Sequence, residues 1–228
     1  RKANSQMKGV VFEGVEQVAW RDVPDPVIEA PDDAIVAVEL AGMCGSDLHP
    51  YFGREAGLDA GTIMGHEFVG HVVETGPAVK SVGIDDRVFA PFSTSCGQCY
   101  YCQRGLTSRC GEGQLFGWRS AGRGLHGGQA QFVRVPLADG SLLKVPEGLT
   151  AESALLLGDN FSTGYFCAEL GAIDPRGVTA VIGCGSVGLL AIIAAKLLAR
   201  GMSVRGDSQG AWRYSLRKWR HSVSRPVR

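Results

Sequence analysis

Much that would settle the class of this 228-residue chain at a glance is missing from it. No apolar run comes near the roughly 18 residues that a membrane helix needs, so no membrane partner is expected. Residues 1–6 are polar and lead into no apolar core, so they do not read as a secretory signal. Met7 then stands as a candidate natural start behind a short extension, and the protein is expected to be cytoplasmic. There are no internal repeats. Net charge is absent too, with 23 Lys and Arg against 23 Asp and Glu. That balance conceals an asymmetry. Residues 1–199 carry 15 basic and 22 acidic side chains, whereas 200–228 carry eight basic and one acidic. A chain with one surface character rarely changes sign so abruptly, and the tail needs its own explanation.

Glycine, by contrast, is abundant. Its 32 residues are about twice the usual share, so sharp turns and close backbone approaches are expected. The first 150 residues read as β. Val10-Val11-Phe12 and the runs 35–40, 68–73, 86–90, 131–136 and 142–146 are strand-like. Pro24, Pro26 and Pro31 exclude a long helix between the first two. Residues 91–128 have neither helical nor strand period and read as an irregular lobe that needs a staple. From about residue 150 the texture turns helical. Thr150 reads as an N-cap, 151–157 and 163–170 as helices, 178–182 as a buried strand and 187–199 as a buried helix.

Seven cysteines without a secretory signal argue for metal binding rather than a disulfide framework. Cys96-x2-Cys99-x2-Cys102-x7-Cys110 sets four thiols within one short run. That suits a closed tetrahedral Zn2+ site with no position left for substrate, hence a structural one. An iron–sulfur cluster is the rival. Bacterial ferredoxins space their cysteines x2, x2, x3 with Pro after the last, and here Gly111 follows a gap of seven. A metal-free lobe is the third alternative. Cys167 and Cys184 read as small core or loop residues, not ligands.

Gly183-Cys184-Gly185-Ser186-Val187-Gly188 is a G-x-G-x-x-G between an apolar strand and an apolar helix, the context of dinucleotide binding. Gly183 permits the turn, Gly185 lets the backbone approach a pyrophosphate, and Gly188 packs helix on strand. Ser186 and Val187 open the helix whose N-terminus offers N–H groups to phosphate. A plain glycine-rich turn is the alternative. An acidic residue about 20 positions on should hold the ribose hydroxyls. Asp207 lies 24 after Gly183, behind a stretch, 203–206, that makes a poor buried strand. Cys44 to His49 and Gly65-His66-Glu67 put soft and imidazole ligands beside carboxylates, though an isolated Cys or His is more often a core residue than a ligand.

In order along the chain stand Cys44-Gly45-Ser46-Asp47-Leu48-His49, Gly65-His66-Glu67-x2-Gly70, the cysteine tetrad, Asp159-x3-Thr163-Gly164 and the glycine loop. Together they resemble the zinc-containing medium-chain alcohol dehydrogenase family over about residues 7–199. The likeness is strongest to members similar to threonine, sorbitol or formaldehyde dehydrogenases. It implies an α/β fold with a β-rich, GroES-like catalytic domain at 7–150. The start of a Rossmann domain, with its doubly wound parallel sheet, follows at 151–199, and an atypical tail at 200–228. The resemblance implies that Cys44, His66 and Asp159 bind a catalytic Zn2+, with Glu67 beside the metal as an alternative ligand or a support. It implies that Ser46 hydrogen-bonds the alcohol oxygen, His49 continues a proton relay to solvent, Asp47 orients a zinc ligand and Thr163 lies near the nicotinamide. Two zinc ions (one catalytic, one structural), NAD or NADP, and an alcohol or aldehyde substrate follow from the same likeness. So does a homo-oligomer for the full-length family member.

The likeness fades after Ala199. Only 45 residues follow Gly183, too few for a six-stranded doubly wound sheet. A frameshift or truncation near residue 200 is the expectation. A diverged tail and a basic, Trp-containing nucleic-acid-binding segment are the alternatives, and no nucleic-acid partner is expected for the protein as a whole. The chain alone is expected to bind NAD weakly or not at all and to oxidise no alcohol. A non-catalytic zinc-binding remnant is the second function class.

Overall fold

A computed structural model describes residues 6–174 and 179–198, with the backbone of 204–207. The polypeptide divides into two units, Arg1–Asp159 and Asn160–Arg228. The first runs β1 (Gln6–Gly14), β2 (Gln17–Pro24), β3 (Ala34–Ala41), α1 (Leu48–Tyr51), β4 (Thr62–Ile63), β5 (Phe68–Thr75) and β6 (Arg87–Phe89). It continues with β7 (Trp118–Ser120), β8 (Arg123–Leu125), β9 (Phe132–Val135), α2 (Ala138–Ser141), β10 (Leu143–Lys144) and α3 (Ala151–Gly158). A three-stranded antiparallel sheet has the order β2-β1-β4, and a five-stranded one the order β10-β6-β5-β3-β9.

Strand alternation builds the layers. Val36, Phe68, Val72, Val88, Val133 and Val135 share one face of the five-stranded sheet and form the main core with Phe116 and Leu125. Val69 and Phe89, one residue out of phase, meet Ala154 of α3, with Leu40, Leu155 and Leu157 around them. Leu40 joins this second cluster because the β3 register slips between Val38 and Leu40. A one-residue slip turns the following side chains to the other face. Gly70 pairs with Val38 at the slip, where an added Cβ would lie 2.0 Å from the Ala37 carbonyl oxygen. The proline-bearing segment between β2 and β3 is pinned by the buried Asp33. Its Oδ2 accepts from the Glu29 N–H at 2.9 Å, the Ala30 N–H at 3.0 Å and Arg134 Nη1 at 3.1 Å.

The strand-like runs of the sequence correspond to β1, β3, β5, β6, β9 and β10. β2 carries no readable signal because it is an edge strand with Val18 and Trp20 turned outward. The 91–128 lobe is irregular except for two short 3-10 turns and the β7–β8 hairpin. Its turn at Ala121 and Gly122 has positive φ at both residues, and Asp59 accepts from both N–H groups at 3.1 and 2.7 Å. Thr150 caps α3, its Oγ1 accepting from the Ser153 N–H at 3.3 Å. The change of texture at 150 is not the boundary between units. α3 packs its leucines on the five-stranded sheet, and the division falls after Asp159.

The second unit runs α4 (Asn160–Leu170), β11 (Thr179–Ile182), α5 (Ser186–Leu198) and β12 (Val204–Asp207). β11 and β12 pair in parallel, from Thr179 with Val204 to Ile182 with Asp207. Here the structure corrects several expectations. α4 begins at Asn160, three residues before the apolar run that signals it. Residues 204–207 do form a strand, because parallel pairing uses main-chain groups that any residue but proline supplies. α5 is not buried all round. Ala191, Ala194 and Ala195 are covered, while Leu189, Leu197 and Leu198 are exposed. Cys184 is buried as expected, but Cys167 is exposed, because Gly164 and Ala168 take the covered face of α4. Expectations for residues 178, 199–203 and 208–228 lie outside the described residues. No helix among the described residues is long and apolar enough to cross a membrane.

The close approach at Gly70 is testable. Gly70→Ala should cost about 1–3 kcal/mol through forced backbone displacement, read as a lower urea midpoint. Gly83→Ala, whose Cβ would meet nothing nearer than 3.9 Å, is the control. Equal midpoints for the two variants would mean that the β3–β5 approach is not as tight as described.

Candidate metal centres and nucleotide loop

The four-cysteine lobe hangs from a fixed base. Thr94 and Gln114 exchange bonds, Thr94 N–H to the Gln114 carbonyl at 2.9 Å and Gln114 N–H to Thr94 Oγ1 at 3.0 Å. Next to them Ser95 donates its N–H to Ser141 Oγ at 3.0 Å and its hydroxyl to the Gly140 carbonyl at 2.6 Å. From that base the loop curls through two 3-10 turns, Cys102–Arg104 and Thr107–Arg109. Cys96, Cys99, Cys102 and Cys110 bring their sulfur atoms within 4.8 Å of one another. The Cys96–Cys102 and Cys99–Cys110 separations are both 4.0 Å. Zinc with Zn–S bonds of about 2.3 Å would set tetrahedral sulfur atoms about 3.8 Å apart. Backbone N–H groups point at the sulfurs, Cys99 at Cys96 and Cys96 at Cys110, each at 3.3 Å. The N–H of Cys102 draws the Cys99 thiol down to about 6, while burial and the neighbouring thiols push Cys102 up to about 11. Backbone N–H groups thus favour thiolate, the form that binds metal, at Cys99 and Cys110.

The second cluster draws on distant segments. Cys44 leads the 3-10 turn Gly45–Asp47 that follows β3. His66 lies in the approach to β5, behind Gly65 at φ +88°. Asp159 sits in the break between two helices, at φ −142° and ψ −69°. The ligand atoms of Cys44, His66 and Asp159 fall within 4.8 Å of one another, and Cys44 and Asp159 are buried. His66 Nε2 lies 3.1 Å from Asp159 Oδ2, and Nδ1 lies 3.2 Å from Asp47 Oδ1. Burial opposes a charged imidazole, yet the hydrogen bonds to Asp159 and Asp47 carry its pKa up to about 12. The two carboxylates thus favour positive charge at this position.

Ser46 Oγ is 3.5 Å from His66 Nε2, so the hydroxyl faces this cluster. His49 is exposed on α1. Glu67 is buried with its carboxylate against Gly42, where an added Cβ would lie 2.8 Å from Oε2. It is not one of the three groups gathered in the cluster. The spacing of motifs gave no hint of Gln129. Its amide lies in a glycine-rich link between β8 and β9 and reaches Asp47 Oδ2 at 3.4 Å. No local pattern marks such a contact.

In the second unit the glycine loop has three distinct geometries. Gly183 adopts φ +90°, Gly185 has open space where a Cβ would be, and a Cβ on Gly188 would lie 1.8 Å from the Gly183 carbonyl oxygen. Ser186 begins α5 and donates its hydroxyl to Asn160 Oδ1 at 2.7 Å. Val187 is half-buried and Thr163 is exposed on α4. The backbone of Asp207 ends β12, opposite Ile182.

Residues 30–147 match the family model of the alcohol dehydrogenase GroES-like domain. The medium chain reductase/dehydrogenase ucsI of Acremonium sp is 47% identical over 197 residues, covering 84% of this chain and 66% of that protein. Zinc-type alcohol dehydrogenase B of Aspergillus flavus is 42% identical over 197 residues, covering 84% of this chain and 45% of that protein. The solved alcohol dehydrogenase TADH from Thermus sp. ATN1 superposes with a TM-score of 0.84 at 39% identity, over 90% of this chain and 59% of that one. The chain thus spans roughly half to two-thirds of the length of the proteins it matches. It belongs to the zinc-containing medium-chain alcohol dehydrogenases, a family of oxidoreductases.

Proposed function

We propose that this chain carries the metal-binding half of an oxidoreductase that transfers hydride from a small alcohol to NAD or NADP, or in reverse from the reduced cofactor to an aldehyde. One observation carries the reading: Cys44, His66 and Asp159 form a three-donor cluster beside the Ser46 hydroxyl, apart from a closed four-thiol cluster. Three protein donors leave a tetrahedral ion one place for substrate, whereas four leave none. The cofactors are Zn2+, at a catalytic and a structural site, and NAD or NADP. Cys44, His66 and Asp159 would hold the zinc, which when bound would supply Lewis acidity to an alcohol oxygen, and the nicotinamide would be the hydride acceptor.

The protein's own groups do the rest. Asp47 accepts from His66 Nδ1, which fixes the tautomer and leaves Nε2 to face the cluster. Ser46 takes the alcohol proton and passes it towards His49, which is exposed on the adjoining α1. Glu67 adds a carboxylate near the metal, as a support or an alternative ligand. The tetrad staples its lobe. In the second unit the N–H groups at Gly185, Ser186 and Val187 would receive the pyrophosphate, Gly183 and Gly188 shape the turn, Asp207 would hold the ribose and Thr163 would lie near the nicotinamide. A cytoplasmic location, a homo-oligomeric full-length form and the absence of nucleic-acid and membrane partners accompany this reading.

The 228-residue chain taken alone does not turn over. Among the described residues its nucleotide-binding sheet has two strands, and Ile182 on β11 is 93% exposed where a complete sheet would cover it. The alternative is a non-catalytic zinc-binding remnant of such a dehydrogenase.

Two outcomes are expected. Elemental analysis should find zinc at both centres. Asp159→Ala should remove one ion, and Cys99→Ser should remove the other and speed amide exchange across 91–115 more than in β3 and β5. Iron in place of zinc, or loss of the same ion in both variants, would overturn the assignment. With cobalt at the three-donor site, adding small alcohols or aldehydes should shift the visible absorption without NAD oxidoreduction. Unchanged bands across a panel of alcohols would sink the substrate reading. Measurable alcohol-dependent reduction of NAD or NADP would overturn the inactivity of the isolated chain.

A further inference from the structure

We infer that Gln129 is a positioning residue of the Cys44–His66–Asp159 centre, acting through Asp47; this rests on reading that centre as a zinc site. Gln129 is tied into the first unit by its backbone. Its N–H donates to the Met64 carbonyl at 3.0 Å, and its carbonyl accepts from the Val10 N–H at 2.8 Å. That fixes it beside Met64, two residues before His66 in the chain. Its side chain then reaches the other ligand-bearing segment. Nε2 donates to the Gly42 carbonyl at 3.0 Å, two residues before Cys44, and to Asp47 Oδ2 at 3.4 Å. Both partners accept and cannot donate, so the amide nitrogen, not its oxygen, faces them.

Asp47 is thereby held on both oxygens. Oδ2 receives the Cys44 N–H at 3.0 Å and the Gln129 amide, and Oδ1 faces His66 Nδ1 at 3.2 Å. Gln129 thus links the loop that carries Cys44, through its side chain, to the segment that carries His66, through its backbone. Space is reserved for it: an added Cβ on Gly65 would lie 2.4 Å from Gln129 Cγ. An amide suits the place because a single nitrogen carries two N–H donors for two acceptors. Methionine is of similar length and offers none. Without the amide, Asp47 loses a restraint, the His66 ring is less fixed, and the donors are less ready for a metal.

The test is metal affinity in the 228-residue chain, by zinc competition with a chelator and by cobalt absorption at the three-donor centre. Gln129→Met should weaken zinc there about ten-fold, at the lower end of the range for residues that orient ligands. It should alter the cobalt bands and leave the tetrad's zinc in place. In an Asp47→Ala background the same change should cost less than about two-fold, because its route is already gone. An equal cost in both backgrounds would overturn the route through Asp47. Unchanged affinity and bands in Gln129→Met would overturn the inference while leaving the zinc reading intact. Loss of tetrad zinc as well would mark a general packing defect and overturn a positioning role. A native chain that holds no metal beyond the tetrad would overturn the reading of the centre itself.

Discussion

A histidine clamped between two carboxylates, Asp47 on Nδ1 and Asp159 on Nε2, is the constraint around which the first unit is arranged. Bringing two carboxylates and a thiol together at low exposure is unfavourable unless positive charge joins them. The fold brings them together through ordinary packing. β3 and β5 are neighbours in the sheet, so the turn after one and the approach to the other bring Cys44 and His66 side by side. Asp159 arrives from a different layer. α3 lies on the sheet face formed by Val69 and Phe89, and Asp159 is the residue at which that helix ends. The packing that assigns α3 to the first unit is also what delivers the third donor.

Absent side chains matter as much as present ones. The turn that aims His66 runs through Gly65 at positive φ, and other main chain closes on it. A Cβ at Gly127 would lie 2.1 Å from the Gly65 carbonyl oxygen, and one at Gly117 would lie 2.9 Å from its nitrogen. Backbone packed this closely leaves the imidazole little freedom before any ion arrives. Such preorganisation separates a site from a coincidence of ligands.

The two clusters make an instructive contrast. The tetrad is a local loop whose donors are close in the chain and whose backbone N–H groups already solvate sulfur. Its geometry needs only an anchored base, supplied by Ser95 and Ser141. In the three-donor centre, 93 residues separate His66 from Asp159. No short-range interaction can assemble it, so it exists only once both sheet faces are packed.

The sequence by itself determined what depends on short range. The spacing of Cys96, Cys99, Cys102 and Cys110, the glycine loop at Gly183 and the period-two strands were readable because a turn or a strand pair creates each of them locally. Likeness to a family extended that reading to Cys44, His66 and Asp159, and spacing alone could not have. Tertiary structure decided the remainder. β2 was invisible because an edge strand need not alternate toward a core, and the covered and exposed faces of α4 and α5 depended on which small residues met. β12 formed where side chains argued against it, because pairing there is between main chains. Gln129 could be found only by following hydrogen bonds across folded loops, since its partners are the 42 carbonyl and Asp47, more than eighty residues away along the chain.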